Sequence, residues 1–127
     1  MNNTEPPEGA PEAMQHYFRM WNEIDLNKIR GHLDKSVSTD CDWTDPQISH
    51  VGRNALEKNV KEFRTNFPTA TLGICSHLDQ HHGRYRYDWM IDVEGEVLLQ
   101  GFDVTTLNAA GLIERVDGFF GKLKPRA

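Results

Sequence analysis

The chain has 127 residues, a length that fits one domain with a core of its own. Lys and Arg number 14 against 19 Asp and Glu, a net charge of −5, which suits neither a nucleic-acid binder nor a protein of anionic membrane surfaces. No apolar stretch could cross a bilayer and the start does not read as a secretory leader, so we expect a cytoplasmic protein. Its two cysteines, Cys41 and Cys75, should then be free thiols.

The N-terminal third of the sequence predicts a tail followed by two helices. Residues 1–11 contain three prolines and a glycine, so we expect them to form a disordered tail before a domain spanning 12–127. Apolar residues then recur at helical spacing, and Asp25 is placed to cap the second helix. These apolar positions are Met14, Tyr17, Phe18, Trp21 and Ile24 in the first helix, and Leu26, Ile29 and Leu33 in the second.

The rest of the chain changes from helical to strand periodicity. A short strand and a loop are expected over 36–50, and a third helix follows that must end before Pro68. After Pro68 the apolar residues alternate with polar ones, and turn residues separate the segments at 81–83, 94–96 and 108–111. Helices followed by an antiparallel meander predict an α+β fold with the helices on one side of a curved sheet.

Several local strings resemble the NTF2-like superfamily, which includes nuclear transport factor 2, SnoaL-like polyketide cyclases and ketosteroid isomerases. The strings are QHYFRMWNEIDLNKI, WTDP and GFDVTTLNAAGLIERVDGFFG, and HHGRYRYDW is closest to SnoaL-like bacterial proteins. The resemblance covers about residues 12–123. It implies a cone-shaped barrel in which three N-terminal helices pack on a curved antiparallel sheet.

The resemblance also implies a site. Tyr17 matches the tyrosine that donates to the substrate oxyanion in ketosteroid isomerases, Asp45 the carboxylate that shuttles the proton, and Asp103 the neutral acid of the oxyanion hole. An apolar cavity for a flat hydrophobic ligand would accompany these three residues. The residues expected to bind the substrate are Trp21, Phe63, Tyr87, Trp89, Val116 and Phe120.

Asp103 is informative without any family. Strand alternation puts it on the face that also carries Leu99 and Gly101, so the carboxylate is either buried among apolar neighbours, with a raised pKa, or exposed. A buried, protonated carboxyl could donate to an enolate oxygen. The alternative is that this face is solvated and that the core face is the one with Phe102 and Val104.

Asp45 and Tyr17 also have ordinary structural interpretations. Aspartate before proline commonly forms a turn, although the nearby Asp40 and Asp42 could make Asp45 a better base by raising its pKa. Tyr17 could simply belong to the core, with its hydroxyl bonded locally. We expect no metal and no cofactor, because the sequence has no HExxH, CxxC or calcium-loop pattern.

Two functions of different classes follow. The first is a cofactor-independent enzyme acting on a small hydrophobic carbonyl compound, by isomerase-type proton transfer or SnoaL-like cyclisation. It predicts a buried Asp103 within hydrogen-bond reach of Tyr17, with Asp45 across an open cavity. The alternative is a non-catalytic small-molecule binder or dimeric interaction module, with the cavity plugged or the three residues reoriented. In either case we expect a homodimer across the outer sheet face, toward which Arg86 and Asp88 should point.

Overall fold

Three helices and seven strands make up the fold of residues 2–127, which the computed structural model describes. The helices are α1 (Glu12–Trp21), α2 (Leu26–Ser36) and α3 (Arg53–Asn66). The strands are β1 (Val37–Thr44), β2 (Ser49–Val51), β3 (Ala70–Ile74), β4 (Asp79–His81), β5 (Arg84–Val93), β6 (Glu96–Leu107) and β7 (Ile113–Phe120). All three helices precede β3, so the predicted α+β order is confirmed.

The helices form where the apolar spacing predicted them. The side chain of Asp25 accepts a hydrogen bond from the Asn27 amide and caps α2 as expected. The first helix is shorter than expected, because it ends at Trp21 and leaves Ile24 exposed to solvent. Asn22 stops it there: its side-chain amide donates to the Leu72 carbonyl while its oxygen accepts from the Leu72 N–H, so Asn22 covers the free edge of β3.

The sheet corrects the expected barrel. Its strand order is β2-β1-β7-β6-β5-β3, with β4 pairing β5, so β2 and β3 are free ends and the sheet does not close. Nor is it purely antiparallel, because β1 runs parallel to β7, with Trp43 opposite Val116. The sheet is therefore mixed and curved. The parallel pair arises because the whole chain between the two strands, including α3, returns β7 to the side of β1.

The long hairpins of the meander follow the predicted turns. His82 and Gly83 have positive φ at the turn before β5, and Glu94 and Gly95 have positive φ between β5 and β6. Two consecutive residues with positive φ are typical of the tight turns that match the twist of antiparallel strands. The resulting register places Tyr87 opposite Asp103, and this pairing organises the site described below.

The segment before α1 has neither helix nor strand over residues 2–11, yet it contacts the domain at two points. The Asn2 side-chain amide donates to the carbonyls of Thr71 and Met90, at 2.9 and 3.0 Å, and occupies the space beside Gly73. Ala10 is buried next to α1. The disordered tail over residues 1–11, with a domain beginning at residue 12, stays a prediction.

The core lies between the helices and the inner face of the sheet. Most of its fully buried apolar side chains come from the three helices and from β1 and β7: Met14, Phe18, Met20, Ile29, Leu33, Val37, Leu56, Val60, Ile113 and Val116. Cys41 is buried and Cys75 exposed, both as free thiols. None of the helices in residues 2–127 is long and apolar enough to cross a membrane.

Candidate active site

A cavity of about 440 Å³ lies between α1, α3 and the inner face of the sheet. This volume is in the range of small-molecule sites, which are about 300–1,000 Å³. Nine of its 21 lining residues are aromatic and six are aliphatic. The other six are polar, and three of these carry carboxyl groups: Asp103 from β6, Asp45 from the turn after β1, and Glu62 from α3.

Asp103 lies at the floor of the cavity, the end formed by the meander strands. The Trp89 indole N–H donates to its Oδ1 at 2.8 Å, and the Tyr87 hydroxyl donates to its Oδ2 at 3.3 Å. Burial raises the pKa of Asp103 from 3.8 to about 7, and the carboxylates of Asp45 and Asp117 add to the rise. The two hydrogen bonds oppose this shift without cancelling it. Asp103 can therefore accept or release a proton near neutral pH.

Two tyrosines extend the polar floor. The Tyr87 hydroxyl also forms a 2.7 Å hydrogen bond with Thr105 Oγ1. The Tyr17 hydroxyl accepts the indole N–H of Trp43 at 2.8 Å, and its own proton has no acceptor among residues 2–127. Burial raises the pKa of both tyrosines well above the ordinary value. Both stay protonated, and Tyr17 keeps a hydroxyl proton that a ligand in the cavity could accept.

Asp45 lies near Asp103 but is held differently. Its Oδ1 accepts the backbone N–H groups of Gln47 and Ile48, each at 2.8 Å, which makes the turn that ends β1. Its Oδ2 has no hydrogen-bond partner among residues 2–127. A Cβ added to Gly118 would lie 3.0 Å from Asp103 Oδ1 and 3.4 Å from the Asp45 Cβ, so the absence of a side chain at Gly118 lets the two carboxyl groups approach.

The structure brings eight of the nine predicted site residues to this cavity. They are Tyr17, Asp45, Asp103, Trp21, Phe63, Tyr87, Trp89 and Phe120. Val116 is the exception: it is fully buried in the core and does not line the cavity. Strand alternation puts it on the inner face, between Trp43 of β1 and Thr105 of β6, where its side chain packs into the core cluster.

Tyr17, Asp45 and Asp103 are arranged differently from the expectation that Asp103 would hydrogen-bond with Tyr17. The Tyr17 hydroxyl is hydrogen-bonded to Trp43, and Asp103 is hydrogen-bonded to Tyr87 and Trp89. Asp45 approaches Asp103 across Gly118, so the two carboxyl groups share one side of the cavity. The cavity itself is present although Trp21, Trp43 and Phe63 all line it.

Sequence reasoning missed the polar rim on α3. Asn59, Glu62 and Asn66 line the cavity from one face of that helix, together with Phe63. Their spacing of three and four residues was visible in the sequence, but nothing local showed that this face borders a cavity. In the described chain, 2–127, no group of three or more His, Cys, Asp or Glu side chains is placed to hold a metal ion.

The fold is that of solved NTF2-like and SnoaL-like proteins. No family model matches the chain, and no curated protein matches it. Among solved structures, a "putative isomerase of the SnoaL-like family" from Agrobacterium tumefaciens is 25% identical with a TM-score of 0.80, covering 87% of this chain and 95% of that one. An NTF2-like protein of unknown function from Exiguobacterium is 15% identical, with a TM-score of 0.70 and coverages of 87% and 99%.

A third structure, a "putative polyketide cyclase" from Sinorhizobium meliloti, is 13% identical with a TM-score of 0.70, over 86% of this chain and 94% of that one. At these identities the last two similarities concern the fold. Together, the fold and these neighbours confirm the predicted resemblance to the NTF2-like superfamily, including its SnoaL-like members.

Proposed function

We propose that the protein is a cofactor-independent enzyme that moves a proton on a small hydrophobic carbonyl compound held in the cavity. The observation that carries the proposal is Asp103, a carboxyl group at the floor of an aromatic cavity whose pKa of about 7 lets it work as an acid near neutral pH. Isomerisation and aldol-type cyclisation both need such a group, because both pass through an enolate.

Each group has a role in this proposal. Asp45 takes the proton from the carbon next to the carbonyl, using the oxygen that the turn leaves free. Tyr17 and protonated Asp103 donate hydrogen bonds to the carbonyl oxygen as it gains negative charge. Trp43 supports Tyr17, because an N–H donated to the tyrosine oxygen favours its acting as a donor. Returning the proton to another carbon completes an isomerisation.

The test is proton exchange measured on the full chain. A β,γ-unsaturated 3-ketosteroid reports double-bond migration by ultraviolet absorbance, and 2-tetralone in D₂O reports deuterium uptake at its α-carbons by NMR. We expect Asp45→Asn and Asp103→Asn each to slow the reaction by about 10²–10⁴-fold, the usual contribution of a positioned acid or base. Asp88→Asn is the matched control, since Asp88 is exposed on the outer face of β5. Exchange at the buffer rate with both compounds would contradict the enzyme proposal.

A second candidate is a non-catalytic binder of small hydrophobic molecules. One observation favours it: both oxygens of Asp103 and the hydroxyl oxygen of Tyr17 already accept hydrogen bonds from protein groups. In a non-catalytic binder, these groups need only form hydrogen bonds with their protein partners. The same assay separates the two candidates, because a binder would be stabilised by 2-tetralone in a thermal-shift experiment without exchanging its α-protons.

The proposed homodimer would form across the outer face of the sheet. Phe119 is 51% exposed there and stacks on Phe102 with ring centroids 4.9 Å apart, and Arg86 and Asp88 are exposed on the same face. An exposed aromatic pair is the kind of surface that association covers. Light scattering should give twice the chain mass for the wild type and the chain mass for Phe119→Asp. A monomeric wild type at micromolar concentration would contradict it.

A further inference from the structure

We infer that the cavity selects ligands by charge, and that its preferred ligand is a hydrophobic compound carrying a protonated amine. Of the residues between 2 and 127 that line the cavity, three carry carboxyl groups and none is Lys, Arg or His. The inference rests on this cavity being the ligand site of the proposed function, and it does not depend on turnover. Together the two proposals describe an amino ketone.

The aromatic walls suit a cation as well as an apolar body. Trp21 lies between Trp43 and Phe63, with ring centroids 6.1 and 5.5 Å away, and Tyr17 lies 6.4 Å from it. Four aromatic rings therefore meet at one wall of the cavity. An ammonium group over the faces of such rings is attracted by their quadrupoles, and the attraction grows when water is excluded.

The basic residues near the cavity are engaged elsewhere. Arg64 is buried behind Phe63, where its guanidinium donates to the carbonyls of Trp21, Phe67, Pro68 and Ala70. Arg115 pairs with carboxylates on the outer face, those of Asp117 and Asp42.

At the rim, Lys58 lies 3.9 Å from Glu62, so the charge of Glu62 is partly compensated and exposed to solvent. Asp45 and Asp103 have no such cationic partner among residues 2–127.

With three carboxyl groups and no basic side chain in its lining, the cavity disfavours the binding of anions more strongly than it favours the binding of cations. A carboxylate or phosphate entering the cavity would lose its hydration, meet no cationic side chain, and approach Asp45 and Asp103. A neutral ketone avoids both the desolvation of a charge and the repulsion by the carboxylates, and an ammonium group forms an ion pair with them. The net charge of −5 on the chain also draws cations toward the mouth.

The experiment compares three probes that share one naphthalene body. The ammonium probe is 2-(aminomethyl)naphthalene, the neutral probe is 2-acetonaphthone and the anionic probe is 2-naphthoate. Titration calorimetry with the full chain at pH 7.5 should rank them in that order, with the ammonium at least tenfold tighter than the carboxylate. Raising the salt concentration should weaken the binding of the ammonium probe and leave the binding of the neutral ketone unchanged. Naphthoate binding as tightly as the amine, or no binding of the amine at millimolar concentration, would overturn the inference.

Matched variants assign the preference to particular carboxyl groups. Asp45→Asn and Asp103→Asn should each lower the ammonium affinity several-fold relative to the affinity for 2-acetonaphthone. Glu62→Gln should have a smaller effect because Lys58 already compensates its charge. Asp88→Asn should have none. Retention of the full ammonium preference in both cavity variants would show that the carboxyl groups do not produce it.

A measurement on the wild type keeps the test decisive if a variant does not fold. Between pH 6 and 8 the amine stays charged while Asp103 titrates, so ammonium binding should strengthen with pH and release protons, seen as a dependence of the binding heat on the buffer. The titratable groups facing Asp103 are Asp45 from the turn after β1, Tyr17 from α1 and Tyr87 from β5, and the charge of Asp117 acts on it from the outer face of β7. Proton uptake would contradict the inference. Deuterium exchange is a separate readout, so either proposal can fail alone.

Discussion

The floor of the cavity holds Asp103, and its mouth, formed by Asp45, Gln47 and Ile48 of the turn after β1, holds Asp45. Different kinds of partner bind these two aspartates. Asp103 at the floor accepts hydrogen bonds from the side chains of Trp89 and Tyr87, and burial raises its pKa to about 7. Asp45 at the mouth accepts two backbone N–H groups of its own turn. The two aspartates approach each other at Gly118, yet their surroundings give them different hydrogen-bond partners and different degrees of burial.

The contrast shows how the two regions contribute to stability. At the floor, the free energy of unfolding depends on pH, because burying the carboxyl group of Asp103 among aromatic rings destabilises the folded protein least when that group is protonated. The mouth contributes a local turn, in which two backbone N–H groups donate to one oxygen of Asp45. Substitutions at the two positions should therefore differ in size and in pH dependence.

The largest expected effect concerns pH and the floor. The folded pKa of Asp103, about 7, lies above its ordinary value of 3.8. Its neutral form therefore contributes stability that is fully present below about pH 4 and is lost as pH rises through about 7. At 1.36 kcal/mol per pKa unit the loss is at most about 4 kcal/mol, and less to the extent that water enters the cavity.

Urea unfolding at pH 5 and pH 8 measures this loss. Asp103→Asn cannot titrate, so the drop in the free energy of unfolding between the two pH values should be smaller in this variant than in the wild type. Asp45→Asn leaves Asp103 able to titrate and should keep most of the drop, reduced only because the Asp45 carboxylate helps to raise the pKa of Asp103. Equal drops in the wild type and in Asp103→Asn would mean that Asp103 ionises normally in the folded protein.

A smaller effect comes from the two tryptophans that donate to site residues. Trp89 and Trp43 are each 7% exposed and each donate one indole N–H at 2.8 Å, Trp89 to the carboxyl group of Asp103 and Trp43 to the hydroxyl of Tyr17. Trp89→Phe and Trp43→Phe are therefore matched. At pH 8 we expect Trp89→Phe to cost about 1 kcal/mol more than Trp43→Phe, since hydrogen bonds to charged groups contribute about 1.5–3 kcal/mol and neutral ones about 0.5–1.5.

The same pair also has a spectroscopic readout. The Trp89 N–H favours the ionised form of Asp103, so its loss should move the pKa of that carboxyl group above 7, seen in the ¹³Cγ chemical shift of Asp103. At pH 5 the difference in stability between the two variants should shrink, because Asp103 is then neutral. A difference that is the same at pH 5 and pH 8 would indicate that packing, not the charge, is responsible.

Local patterns predicted the elements well, and the same patterns could not predict how strands meet. The N-cap at Asp25, the end of α3 before Pro68 and the turn at 94–95 depend on neighbouring residues, so they can be predicted from the local sequence. The parallel pairing of β1 with β7 joins segments some seventy residues apart, Val37 opposite Ile113 for instance, and no local signal specifies it. An open, mixed sheet was therefore not predictable by these means.

The site shows the same division. Alternation along β6 left two faces possible for Asp103, and packing decides between them: a Cβ on Gly101 would collide with the Phe119 carbonyl and lie 2.7 Å from the Trp89 ring, so Gly101 leaves room for the indole that donates to Asp103. Alternation also placed Val116 on the inner face, but it says nothing of depth along the sheet, which separates core from cavity. The Trp43–Tyr17 bond, between residues 26 apart, needed the fold itself.

The smallest expected effect distinguishes the structural role of Asp45 in its turn from its proposed role as a base. Asp45→Ala removes the acceptor for the amides of Gln47 and Ile48 and should lower the free energy of unfolding by about 1 kcal/mol. Asp45→Asn keeps an acceptor oxygen in the same place, so its stability should stay within about 0.5 kcal/mol of the wild type. Urea unfolding at pH 7 measures both, and proton exchange with 2-tetralone is followed in parallel. A base at the mouth predicts that both variants lose exchange although only the alanine variant loses stability. If Asp45→Asn kept both its stability and its exchange, Asp45 would be a turn residue alone, and the proton would have to be moved from the floor by Asp103.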